Sequence, residues 1–192
     1  MPELTTVATR DHLDRAVISQ LRSAPKAWNG IFTDDVLKAV DANTDPPNTK
    51  VPLATVSAGG RTYNLTVIVR VGPRHPTDFS VILQAKEQYQ PDDARLLRIN
   101  GPHIPDHRNK LDKAVGYIPP MTAHAHYATE RYLRAEQAGR AVVHDGFALR
   151  TRPVTSLVDA LRVFARRANV SSGQLPLNVA PDRQDGWPRA LP

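Results

Sequence analysis

Apolar and polar positions alternate most cleanly from Arg61 to Val71. Tyr63, Leu65, Val67, Val69 and Val71 fall on one face, and Asn64, Thr66, Ile68 and Arg70 on the other. A period of two predicts a half-buried strand. Gly59-Gly60 just before it is a hairpin signal, so the run Val51 to Ser57 predicts a partner strand. Phe79 to Lys86 and Arg95 to Ile99 continue the alternation, broken by the turn residues Gln90-Pro91-Asp92-Asp93. Strands joined by short polar turns predict an antiparallel meander of about five or six strands.

Helical spacing brackets this block. Leu13, Val17, Ile18 and Leu21 recur with helical period behind Asp11, a candidate cap, and Pro25 ends the run. Thr33 followed by Asp34 and Asp35 predicts a second short helix reaching Val40, before Asn43-Thr44-Asp45-Pro46-Pro47-Asn48 interrupts all periodicity. Near the other end, Leu157, Leu161, Phe164, Ala165 and Ala168 form an apolar stripe. Ser156-x-x-Asp159 in front of it has the form of a capping box, and Asn169 closes it. The expected fold class is α+β: an antiparallel β-sheet with an N-terminal helical segment and a C-terminal helix packed on one face. The expected divisions are 1–45 for the helical segment, 46–170 for the core domain and 171–192 for a Pro-rich tail carrying Trp187.

Composition narrows the chemistry more than the fold. The 192 residues include no cysteine, which excludes disulfides, thiolate zinc sites and cysteine nucleophiles. With neither a signal-peptide pattern nor an 18-residue apolar run, the chain is expected to be cytoplasmic and off the membrane. The net charge of +6 is unevenly placed. Residues 1–50 hold six Lys/Arg against seven acids, whereas Arg131 to Arg167 hold eight arginines against Glu136, Asp145 and Asp159. An arginine-rich stretch fits forked contacts to phosphate. Solvated helix faces are the plainer explanation.

The distinctive chemistry lies between Arg98 and Tyr132, where four of the seven histidines occur: His103, His107, His124 and His126. If residues 122–128 form a strand, His124 and His126 share a face. A Gly/Pro-rich loop would then bring His103 and His107 against them. One use of such a cluster is metal-free acid–base cleavage of RNA, with Arg108, Asn109 or Arg131 holding the charge that builds on phosphorus oxygens. Another is a divalent metal held by His124, His126, His103 and Glu130. The spacing His124-x-His126-x-x-x-Glu130 is similar to the first metal motif of cupins, although no second motif follows. A third is purely structural, with imidazoles satisfying loop carbonyls.

The string Leu96-Leu-Arg-Ile-Asn-Gly-Pro-His103, the step His107-Arg108-Asn109 and the pair His124-Ala125-His126 together carry a resemblance. Over about residues 75–170 the chain resembles small prokaryotic proteins encoded beside toxin–antitoxin and mobile-element genes, the TumE-like toxins among them. The resemblance implies a nucleic-acid-directed role of toxin–antitoxin or phage-defence type, with an RNA target and a cognate toxin or antitoxin as partner. A non-enzymatic binding partner, such as an antitoxin or counter-defence factor, is the alternative, and a homodimer is open to either.

The expected catalytic set is therefore His103, His107, His124, His126, Arg108 and Asn109, with no cofactor or, alternatively, a divalent metal. The expected nucleic-acid contacts are Arg131, Arg134, Tyr132, Arg150, Arg162, Arg166 and Arg167. Tyrosine offers a stacking surface beside the arginines.

Overall fold

The structure is a computed structural model that describes residues 12–27, 49–71, 78–89, 93–103, 106–112, 117–138, 147–151 and 154–171. The helix anticipated over 33–40, the break at 43–48, Arg140, Arg152 and the tail with Trp187 lie outside the described residues.

Helix α1 runs Arg15–Ser23 and strand β1 Lys26–Ala27. The main strands follow: β2 Thr49–Ala58, β3 Arg61–Val71, β4 Phe79–Glu87 and β5 Asp93–Asn100. A small hairpin of β6 His107–Arg108 and β7 Tyr117–Ile118 leads to β8 His124–Tyr127. Helix α2 Glu130–Gln137, β9 Phe147–Arg150, helix α3 Leu157–Arg167 and β10 Val170–Ser171 complete the order. Strands β2-β3-β4-β5-β8-β9 form one six-stranded sheet, antiparallel throughout. The α+β expectation holds; the pattern named neither α2 nor β9, nor the two-residue strands β1, β6, β7 and β10.

Local chemistry explains the element ends. Helix α1 is capped by Asp14, whose carboxylate accepts the Val17 N–H at 2.8 Å, and not by Asp11. It stops at Ser23 because residues before a proline avoid the helical region. Gly59 and Gly60 turn between β2 and β3 at φ of 55° and 73°, the left-handed region that a tight hairpin needs. Ser156 caps α3 by accepting the Asp159 N–H at 3.1 Å, and Asn169 leaves the helix at φ 52°. Pro52 sits on β2, an edge strand where a missing donor is tolerated.

Paired residues across an antiparallel sheet share a face. One face carries Val67, Val69, Val81, Leu83, Leu97, Ile99, Ala125 and Tyr127, and packs with Leu157, Leu161 and Phe164 of α3 and Val17, Ile18 and Leu21 of α1 in a single core. The helices meet at a clip. The buried Lys26 ammonium donates to Arg22 O at 2.9 Å, Ala24 O at 2.6 Å and Ala168 O at 2.6 Å, beside the parallel β1–β10 pair. It thus serves carbonyls left over at the ends of both helices. The opposite face of the sheet carries the histidines.

Candidate histidine site

Two rows of residues in register define the site. Ile82, Arg98, His126 and Ala148 form one, and Ser80, Asn100, His124 and Arg150 the next. His124 and His126 therefore project from β8 on one face, as the alternation predicts. The chain leaving β5 at Asn100 brings His103 over them, and β6 delivers His107. The four rings converge. Centroids lie 5.1 Å apart for His103–His107, 4.8 Å for His103–His124, 4.2 Å for His107–His124, 4.9 Å for His107–His126 and 4.8 Å for His124–His126.

Hydrogen bonds assign the tautomers. His103 Nδ1 lies 2.9 Å from Gly101 O and His124 Nδ1 lies 2.7 Å from Thr122 O. A carbonyl only accepts, so each Nδ1 carries the proton and each Nε2 keeps its lone pair. His103 Nε2 lies 2.9 Å from His107 Nε2, so His107 supplies that shared proton. Asn100, fully buried, donates its amide N–H to His124 Nε2 at 3.0 Å. The Asn100 oxygen in turn accepts from Arg98 Nε at 2.7 Å. Arg98 and Asn100 are functional residues that the pattern reading missed. Their signal is present: two polar side chains at positions i and i+2 of a strand whose other face, Leu97 and Ile99, is buried.

Electrostatics keeps His124 and His126 neutral. Burial pulls the His124 pKa down to about 4, with His107, His103 and Arg98 nearby adding to the effect. Burial, then the charges of neighbouring His124 and Arg98, holds His126 well below the ordinary histidine value. His126 is only 3% exposed, and neither of its ring nitrogens has a hydrogen-bond partner. A buried polar ring in that state costs about 1–3 kcal/mol unless something binds it.

Ligand atoms of His103, His107 and His124 all lie within 4.8 Å of one another. A tetrahedral ion with metal–nitrogen bonds of about 2.0–2.1 Å holds its nitrogens about 3.3 Å apart, so the three need only small shifts to share one. The backbone carbonyls on His103 and His124 are the outer-shell partners that orient metal-binding imidazoles.

Several expected residues sit elsewhere or do other work. Asn109 is buried and uses both ends of its amide on Ala148, donating to O and accepting from N at 2.8 Å each, so it closes the β9 edge. Arg108 points with its register partner Tyr117 to the side of the hairpin opposite His107. There it lies over the Tyr117 ring at 5.3 Å and 3.5 Å from Asp106. Glu130 does not join the converging imidazoles. Its carboxylate accepts the Arg15 N–H at 3.2 Å and pairs with Arg134, which corrects its proposed role as a metal ligand. Tyr132 is 2% exposed and packs against Phe147, so it offers no stacking surface.

The arginines expected to form a nucleic-acid face make contacts within the protein while several of them stay exposed. Arg131 bonds Asp112 at 2.6 Å and Arg162 bonds Asp159 at 3.3 Å. Arg167 bonds the Tyr127 hydroxyl at 2.5 Å, and Arg166 is exposed on the same helix. Arg150 stands beside His124 in register and donates to Tyr117 O at 3.3 Å. No helix among the described residues is long and apolar enough to cross a membrane. No family model, no curated protein and no solved structure matches the chain.

Proposed function

We propose that this protein is a metal-dependent hydrolase whose divalent transition-metal ion is held by the Nε2 atoms of His103 and His124 and by His107. The observation that carries the reading is the convergence of three imidazoles. Two of them, His103 and His124, direct their Nδ1 protons outward onto Gly101 O and Thr122 O and keep their Nε2 lone pairs, while His107 would give up its Nε2–H contact with His103 for the ion. Three histidines and one exchangeable position are the donor set with which zinc lowers the pKa of a bound water and supplies hydroxide near neutral pH. His126, unpartnered beside the three, is the natural hydrogen-bond partner for that water. Neutral imidazoles suit ligation, and a histidine held near 4 is almost never the doubly protonated imidazolium that a general acid needs at pH 7.

The metal-free cleavage reading rests on one observation, the 2.9 Å His103–His107 contact, in which a shared proton sits between two imidazoles. A toxin–antitoxin setting and a nucleic-acid target remain part of the proposal on the strength of the resemblance between Leu96 and His126 alone.

Protein purified without chelator should contain about one zinc, manganese, iron or nickel ion per chain. At ligand concentrations 100-fold above the dissociation constant, that ion should stabilise the fold by about 2.7 kcal/mol. His103→Ala combined with His124→Ala should remove both effects. Metal-free protein whose melting temperature ignores all four ions would overturn the proposal and return the site to acid–base chemistry.

A further inference from the structure

The two rows that bear the site contain Arg98 and Arg150 and no acidic residue. The converging ligand set contains no carboxylate either. A divalent ion held by these imidazoles would stand beside the Arg98 guanidinium with no carboxylate in either row. Each of the two arginines stands in register beside one buried histidine, Arg98 beside His126 and Arg150 beside His124. Arg98 is half-buried and is oriented by Asn100 Oδ1 at 2.7 Å and Ser80 Oγ at 3.4 Å. Its charge is felt by both His124 and His126.

We infer that the exchangeable ligand of this site is a phosphate-class oxyanion, bound to the ion on one side and to the Arg98 guanidinium on the other. The inference rests on the metal reading above. Asn100 takes part as well. An ion that occupies the His124 Nε2 lone pair displaces the Asn100 amide N–H now donating to it at 3.0 Å, and that donor is released next to the incoming oxygens. Arg98 and Asn100 then present a charged and a neutral donor from one strand, while the ion takes a third oxygen. A guanidinium fork matches phosphate oxygens two at a time, and a doubly charged anion offsets more of the local charge than a carboxylate does. The same phosphate chemistry is offered by a terminal monoester and by the internal diester of a nucleic acid.

The test uses the full chain loaded with cobalt(II), whose visible spectrum reports its ligands. Titration with inorganic phosphate, with a dinucleotide and with acetate should show saturable spectral change for phosphate or the dinucleotide, at lower concentration than for acetate. Whichever of the two binds identifies the monoester or the diester as the source. Arg98→Met should still bind cobalt but weaken the anion by about 10-fold or more, the loss expected for one charged hydrogen-bonding partner. Arg98→Lys, which keeps the charge and the buried stem, should fall between the two and serves if the methionine variant does not fold. A cobalt spectrum indifferent to phosphate and dinucleotide, an equal response to acetate, or unchanged anion affinity in both variants would overturn the inference. Failure of the wild type to take up cobalt would instead sink the metal reading itself.

Discussion

His126 concentrates the tension in this molecule. It is a buried titratable ring whose two nitrogens have no hydrogen-bond partner among the described residues, and its position is enforced from both sides by the register with Arg98 and Ala148. His124 has partners for both ring nitrogens but is likewise buried, with a pKa held near 4 by that burial. Both folded-state values lie below the unfolded histidine value of 6.5. Their contribution is therefore intact above that pH. Between about 6.5 and 4 the unfolded chain binds protons that the folded chain refuses, so stability falls as the solution is acidified. Each such histidine contributes about 1.4 kcal/mol per pH unit in that window. Urea unfolding of chelator-treated protein at pH 7 and pH 5 should show this loss, and His126→Leu should shrink it. Equal unfolding free energies at the two pH values would contradict the buried, uncharged state of the pair.

At the level of elements, alternation and caps carried much of the information. The β3 strand is legible because its period of two survives 11 residues, and α3 because Ser156, Asp159 and an unbroken apolar stripe agree. Helix α2 was hidden because only Tyr132, Leu133 and Ala135 of Glu130–Gln137 are buried apolar residues, too few to establish a period. The shared face of His124 and His126 could be read from their spacing. The loop geometry that adds His103 and His107 could only be anticipated, since nothing local specifies how a Gly/Pro-rich segment folds back. Roles for Arg98 and Asn100 were illegible because they come from pairing with β8, 24 residues away for Asn100 and His124. The arginine surplus is only partly legible for a related reason: acids such as Asp112 reach Arg131 across the fold and pair with a side chain that stays exposed. The hairpin between β2 and β3 makes a sharp test of local geometry. A Cβ on Gly59 would stand 2.6 Å from Val17 Cγ2, at a φ of +55° that disfavours any side chain. Gly59→Ala should therefore cost about 1–3 kcal/mol by chemical denaturation, through both overpacking against α1 and backbone strain. A neutral effect would mean that α1 can move off the hairpin freely.

For the whole molecule, the arrangement is a division of labour between two faces of one sheet. The face under α1 and α3 is given mainly to packing, and the other holds the histidines on strands that the packing supports. Sites supported by sheet residues are held more exactly than sites on loops alone. Lys26 is the main polar group joining the helices of the packed face. Its burial lowers its pKa to about 8, while three carbonyl acceptors hold the ammonium in place. Lys26→Met should lower stability by about 2–3 kcal/mol, the cost of leaving buried carbonyls unserved. The histidine site, on the far face, should keep its metal affinity. Loss of metal binding in a folded Lys26→Met variant would show that the two faces are coupled.

The clip also sets an order of events during synthesis. Lys26 emerges from the ribosome early, but its Ala168 acceptor lies 142 residues further along the chain. Until that late segment appears, α1 has no α3 to close against, and Leu21 and the central strands have only part of their cover. The nascent chain must therefore carry an unfinished sheet until that segment is made, with apolar surface open to other chains. The last described turn of the protein is what makes the first described helix permanent.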